Sequence, residues 1–190
     1  YLPKGFFNPE NWSGASMNRR LYRESFVPAI TGMENAVFVI SVLIGLQDTP
    51  LTMANHYVGT SLTNWGFFCS LSSLPNKTYY AVKAFNELTK YSSRLSIPAD
   101  TGNGVRILAG RNSGGETAAL VVVPTGFTGE GVDLQIAPLP GNDPSSVEVR
   151  ILDEKRDLEC SEEAVISDGT IHLPTSQGPA VYFVEAFYKG

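Results

Sequence analysis

The feature that most constrains this chain is a change of pattern near residue 96. Before it run long apolar or amphipathic stretches joined by irregular segments. After it come short alternating runs separated by Gly, Pro, Asn and Asp. Helical periodicity in one half and strand-length runs in the other predict two parts. They are residues 1–95, with helices and buried strands, and residues 96–190, an antiparallel β-sandwich. The hinge is the stretch 92–104, which contains Pro98 and Gly102.

In the first part, residues 5–16 are rich in Asn, Gly, Pro and Trp and predict a loop. Residues 17–26 predict a helix that ends near Pro28, because proline disfavours helix in the residue before it. Residues 33–47 predict a second helix, apolar on nearly all sides and therefore expecting burial on every face. Its apolar core, Ala36 to Leu46, is shorter than the roughly 20 residues that cross a bilayer, so no membrane partner is expected. Residues 51–57, bounded by Pro50 and Gly59, suit a short buried strand. Residues 65–69 predict another short strand or an extended loop. Tyr80, Ala84, Phe85, Leu88 and Tyr91 recur at three- and four-residue steps, which predicts a helix over 78–91 with Thr78 as its N-cap.

In the second part, strands are predicted over 105–109, 117–123, 132–136, 146–152, 170–173 and 180–188. Asn112-Ser113-Gly114-Gly115 predicts a hairpin turn, since glycine tolerates the positive φ that such turns need.

Charge and composition narrow the function classes. The net charge is -5, and the 14 Lys and Arg are scattered, with no basic stripe interleaved with aromatics, so nucleic acid is not an expected partner. The one tight basic group, Arg19, Arg20 and Arg23, suits a solvated helix face. Two cysteines and two histidines exclude a Cys/His metal cluster. Cys69 and Cys160 fall in different predicted parts, so no bridge between them is expected, and no cofactor or metal is implied. Asn11-Trp12-Ser13 and Asn76-Lys77-Thr78 match the glycosylation acceptor pattern, which is short enough to arise by chance. Tyr1-Leu2-Pro3-Lys4 reads as an internal cut, so a missing leader says nothing about localisation.

Two segments carry a family resemblance. They are Asn64-Trp65-Gly66-Phe67-Phe68 and the run from Pro75 through Tyr79-Tyr80-Ala81-Val82-Lys83 to Leu88. Both resemble the end of the (β/α)8 barrel in retaining glycoside hydrolases of the β-xylosidase and α-L-arabinofuranosidase type. There a Trp-Gly-apolar segment follows strand eight, and a proline followed, after three intervening residues, by a Tyr-Tyr-Ala run opens the last helix. The resemblance implies that residues 1–95 are the C-terminal portion of a TIM barrel and that 96–190 are the sandwich behind it. Residues 34–57 then look like helix seven and strand eight. A carbohydrate substrate and the remainder of the barrel are the implied partners, and a secreted or periplasmic setting is favoured.

Retaining glycosidases use two carboxyl groups roughly 5 Å apart, a nucleophile and an acid/base. In barrel enzymes such groups end strands. If residues 51–57 are strand eight, the resemblance puts both carboxylates upstream of Tyr1, so no catalytic residue is assigned within the chain. Glu10 borders the expected cleft but suits a solvated loop, and Glu24 and Glu34 suit helix faces. Asp153, Glu154, Asp157, Glu159, Glu162 and Glu163 form a charge-rich turn region, where a calcium site is conceivable and a solvated acidic edge is the simpler reading.

The candidate substrate wall is Asn55, His56 and Tyr57 at the end of strand eight, with Trp65 and Trp12 beyond. Asn55 and His56 would hydrogen-bond sugar hydroxyls; Tyr57, Trp65 and Trp12 would pack on sugar rings. The alternatives are that His56 is a satisfied interior histidine, Trp65 a core aromatic and Trp12, with Phe6 and Phe7, a loop anchor. A non-catalytic carbohydrate-binding or interaction module built on the sandwich is the competing function.

Overall fold

The structure is a computed structural model and describes residues 27–56, 59, 66–69, 72–97, 103–135, 144–167, 169–174 and 178–188. It is a mixed α/β fold with few helices and two antiparallel sheets. The helices are α1 (Val27–Thr31), α2 (Met33–Leu46) and α3 (Lys77–Leu88). The strands are β1 (Ser93–Arg94), β2 (Arg106–Arg111), β3 (Thr117–Val123), β4 (Gly131–Gln135), β5 (Ser146–Leu152), β6 (Asp157–Cys160), β7 (Val165–Ser167), β8 (Thr170–Pro174) and β9 (Ala180–Phe187).

Six strands form one sheet in the order β1-β2-β3-β9-β5-β6, and three form another in the order β4-β8-β7. Helices α2 and α3 cover one face of the larger sheet, and the smaller sheet covers the other. The alternation of side chains along each strand makes this visible. Ala118, Leu120 and Val122 of β3 join Met33, Ile40, Ala84 and Leu88 of the helices in one core, with Val181 and Phe183 of β9. Ala119, Val121 and Val123 join Leu134, Ile171 and Leu173 of the smaller sheet in a second core, with Tyr182 and Val184. This is why β3 is buried at every position: it is a central strand with both faces covered. Tyr182 carries its hydroxyl to the carbonyl of Pro174, which ties β9 to β8 across the second core.

Six of the nine strands among the described residues lie where the sequence predicts them. The other three, β1, β6 and β7, are short, and most of their residues are exposed. Each lies at the edge of its sheet, where charged and polar residues are tolerated, so alternation does not reveal them. The hairpin over 112–115 is present. Gly115 has φ +89, and the Asn112 side chain accepts from the amides of Gly114 and Glu116, both at 3.0 Å.

The helices depart from expectation in instructive ways. The predicted helix over 17–26 lies outside the described residues. Pro28 sits in the first turn of α1, a position where its missing N–H costs nothing. Helix α2 buries one stripe, Met33, Ala36, Val37, Ile40 and Ile44. Phe38 and Val42 stay 63% and 42% exposed, because α3 and the sheet cover only one side.

Helix α3 is capped by Asn76, whose side chain accepts from the Tyr79 amide at 3.1 Å. The expected cap, Thr78, is fully buried and accepts from Asn35 Nδ2 at 2.8 Å, joining α3 to α2. Residues 51–56 form no strand and are exposed. A strand needs a ladder partner for its backbone groups, and none is found among the described residues.

Candidate functional site

The expected substrate wall divides between what the structure describes and what it does not. Tyr57, Trp65 and Trp12 lie outside the described residues, as do Glu10, Glu24 and the arginine group at 19–23. Asn55 and His56 are described, and both are exposed. The His56 ring stacks on Phe67, with centroids 4.7 Å apart and planes 14° from parallel. Partial burial there pulls the His56 pKa below the ordinary histidine value, so the ring favours its neutral form. Asn55 Nδ2 contacts the Met53 sulfur at 3.6 Å.

Phe67 lies in the Trp-Gly-apolar segment, and its contact with His56 is not announced by the sequence pattern. Its position is set from behind. Asn76 N donates to Phe67 O at 2.9 Å, and Asn76 Nδ2 donates to Gly66 O at 2.7 Å. Phe68 bridges to Pro75 and stacks, tilted, on Tyr79 at 5.4 Å, and Tyr79 meets Tyr80 edge-on at 5.3 Å. The segment that carries the family resemblance is thus a brace. It fixes the approach to α3 and, through Phe67, the seat of His56. Asn76 is only 8% exposed and its amide is committed, so the acceptor pattern at Asn76-Lys77-Thr78 is not a glycosylation site in the folded chain.

The other end of the brace is electrostatic. Lys77 Nζ donates to Asp157 Oδ1 at 2.6 Å and to the Arg156 carbonyl at 3.1 Å, joining α3 to β6. Asp153, expected at a solvated acidic edge, is instead 5% exposed. It accepts from the Lys155 and Arg156 amides, both at 2.8 Å, and from the Arg156 guanidinium at 2.7 and 3.0 Å. Burial opposes its charge, but these donors outweigh burial and hold its pKa below the usual carboxylate range.

A second cluster joins α3 to β5 and β9. One Arg150 nitrogen donates to Glu87 at 2.7 Å and to Glu185 at 3.0 Å. The guanidinium lies 4.7 Å from the Phe183 ring centre, and the Tyr91 hydroxyl donates to Glu185 at 2.7 Å. Burial works against the Glu87 charge, but Arg150 outweighs it and lowers the pKa. Burial, with Glu185 beside it, pushes the Tyr91 hydroxyl well above the ordinary tyrosine value.

A general acid working near neutrality needs a raised carboxyl pKa. Asp48, Glu87 and Asp153, the described acids with a resolved shift, all move down. They act as ion-pair partners. Among the described residues no group of three or more His, Cys, Asp or Glu is placed to hold a metal ion. No described helix is long and apolar enough to cross a membrane. No disulfide joins Cys69 to Cys160.

The helix pair laid on a six-stranded antiparallel sheet, with a smaller sheet behind, is a glycoside hydrolase-like fold. The chain is similar to a glucosidase from Croceicoccus marinus, with a TM-score of 0.63 at 19% identity over 83% of this chain and 43% of that one. It is similar to a glycoside hydrolase family 30 subfamily 8 xylanase from Clostridium acetobutylicum, with a TM-score of 0.61 at 10% identity over 82% of this chain and 40% of that one. A family 39 glycoside hydrolase from Bacteroides cellulosilyticus gives 0.50 at 17% identity over 82% and 31%. The chain therefore spans less than half of each of these structures. No protein-family model and no curated protein matches it.

Proposed function

We propose that this chain is the C-terminal portion of a retaining glycoside hydrolase of the β-xylosidase and α-L-arabinofuranosidase type. Residues 1–95 would supply the last turns of a (β/α)8 barrel, and residues 96–190 the sandwich packed behind it. The observation that carries the reading is the helix pair α2 and α3 docked on the six-stranded sheet. That arrangement is shared over 83% and 82% of the chain with a glucosidase and a xylanase. The sugar type rests on the resemblance of the Trp65-Gly66-Phe67 segment and the Pro75–Leu88 entry alone.

In this reading the carboxylate pair comes from sequence preceding Tyr1, and the chain supplies a wall of the sugar site. Asn55 and His56, with Tyr57, Trp65 and Trp12, line that wall. His56, neutral and seated on Phe67, offers a ring nitrogen to a sugar hydroxyl. The exposure of residues 51–56 fits a strand whose barrel partners lie in sequence not present here.

The test compares the 190-residue chain with the same chain extended upstream in its gene. Both are assayed on aryl xylosides, arabinofuranosides and glucosides. The extended protein is expected to turn over at least one of them and the short chain none. Turnover by the short chain would place the chemistry inside it. Oligosaccharide binding by the extended protein without turnover on any substrate would favour the non-catalytic module.

A further inference from the structure

The sequence places a lysine where a helix least favours one. Lys77 is the first residue of α3, and the first turn of that helix holds no acidic side chain. The helix dipole puts partial positive charge at that end, so a cation there is destabilising unless an anion meets it. The anion comes from another element. Asp157, at the start of β6, accepts from Lys77 Nζ at 2.6 Å, and the Lys77 side chain is only 16% exposed. Beside Asp157 the strand backbone is irregular. The register of β5 and β6 slips between Ile151 and Leu152, which leaves Leu158 as an extra residue on β6, at φ +65. A leucine in the left-handed region costs free energy that its surroundings must offset. Here Leu158 is buried in the core that holds Ala84 and Leu88 of α3. The bulge thus sets one side chain into the core beneath α3 while its neighbour meets the lysine.

We propose that Asp157 is a positioning residue for the sugar wall, acting through Lys77 and Asn76 on the Phe67 seat of His56. Lys77 follows Asn76 directly in the chain. Asn76 in turn holds the carbonyls of Gly66 and Phe67, through its side chain and its backbone amide. Without the Asp157 charge, the lysine opposes the helix dipole alone and the first turn of α3 frays. The cap that Asn76 makes to Tyr79 N loosens with it. Gly66 and Phe67 then lose their fixed partner, and the ring stacked on His56 is no longer held. The effect on catalysis rests on the function proposed above, whereas the coupling of Asp157 to His56 does not.

The test uses the 190-residue chain and the His56 ring protons, followed by NMR. Asp157→Asn should move the His56 titration up toward the ordinary histidine value and quicken amide exchange at Tyr79 by about two- to thirtyfold. Asp157→Glu keeps a carboxylate and should keep the parent titration. Lys77→Met removes the cation together with its need for an anion, so adding Asp157→Asn to it should shift His56 little further. Asp48→Asn breaks an exposed pair with Arg94 elsewhere and should leave His56 as it is. In the extended protein, Asp157→Asn should lower kcat/KM by about two- to thirtyfold, in kcat more than in KM. If that protein hydrolyses nothing, the His56 readings still decide the coupling. The proposal is overturned if Asp157→Asn leaves His56 unmoved, if Asp48→Asn moves it equally, or if Asp157→Asn acts as strongly in the Lys77→Met background.

Discussion

The side-chain amide of Asn76 donates to the backbone carbonyl of Gly66 at 2.7 Å, in a buried position ten residues away along the chain. The same side chain caps α3 through Tyr79 N, so one residue joins the start of the helix to the segment that seats His56. Asn76→Ala removes the cap and leaves a buried carbonyl unmet, and should cost about 2 kcal/mol. Asn76→Ser keeps an acceptor for the cap but is too short to reach Gly66, and should cost about 1 kcal/mol. Urea denaturation of the three proteins checks the order, and amide exchange at Tyr79 should quicken in the alanine variant only.

Arg150 holds Glu87 and Glu185 in a partly covered position, with side chains 16%, 20% and 19% exposed. Arg150→Met leaves the two carboxylates facing each other without their cation, and about 3 kcal/mol of stability should be lost at pH 7. The pH dependence separates this cause from lost packing. In the parent, the Glu87 and Asp153 pKa values are lowered. The stability they contribute is present above the unfolded carboxylate values, roughly 4, and disappears as pH falls through the folded ones. In the variant, Glu87 loses its cation and keeps its burial, so its pKa rises and protonation favours the fold. Denaturation at pH 7 and pH 4 should therefore find the gap between the two proteins narrowing on acidification. A constant gap would mean that packing alone is at stake.

Where local pattern and tertiary context agree, the fold was legible. Strands β3 and β5 are placed to the residue, and the 112–115 turn is correct, because runs of apolar residues and a Gly-Gly pair act locally. Thr78 shows the limit. Two capping residue types stand close together, and only the burial of Thr78 against Asn35 decides that Asn76 is the cap. Asp153 fails in the same way, since its solvation depends on a guanidinium three residues on that folds back over it. At the candidate site, His56 was legible as an isolated chemistry-bearing residue. Phe67 was not, because nothing in local periodicity announces a stacking partner eleven positions away. The one sequence signal for it is the Trp-Gly-Phe segment, which marks a family rather than a seat.

Helix α2 has an apolar face with no cover among the described residues, at Phe38 and Val42. The 190-residue chain should bind an apolar dye and self-associate with rising concentration. Replacing Phe38→Glu with Val42→Lys should reduce both and change stability by no more than about 0.5 kcal/mol, as for surface sites. Under the proposed function the remainder of the barrel covers this face. In the extended protein the same pair should then destabilise by about 2 kcal/mol or more, as polar groups are buried unmet. Equal, small effects in both proteins would mean that the face is solvent-exposed in each.

The last prediction concerns His56, which is exposed yet stacked flat on Phe67. Covering one face of the ring lowers its pKa through desolvation. Phe67→Ala should move the His56 titration, followed by the ring proton NMR shift, back up toward the ordinary value of about 6.5. In the parent, protonation of His56 below that value opposes the stacked arrangement, so its contribution to stability is present above the unfolded pKa and falls away as pH drops. If His56 also holds a sugar hydroxyl in the extended enzyme, that hydrogen bond strengthens as charge develops in the transition state. His56→Ala should then lower kcat/KM by about ten- to a thousandfold with the melting temperature unchanged, since an exposed ring contributes little to the core. Phe67→Ala should reproduce part of that loss while leaving His56 in place. A lowered melting temperature with normal kinetics in the folded fraction would make the pair a packing contact and remove it from the sugar site.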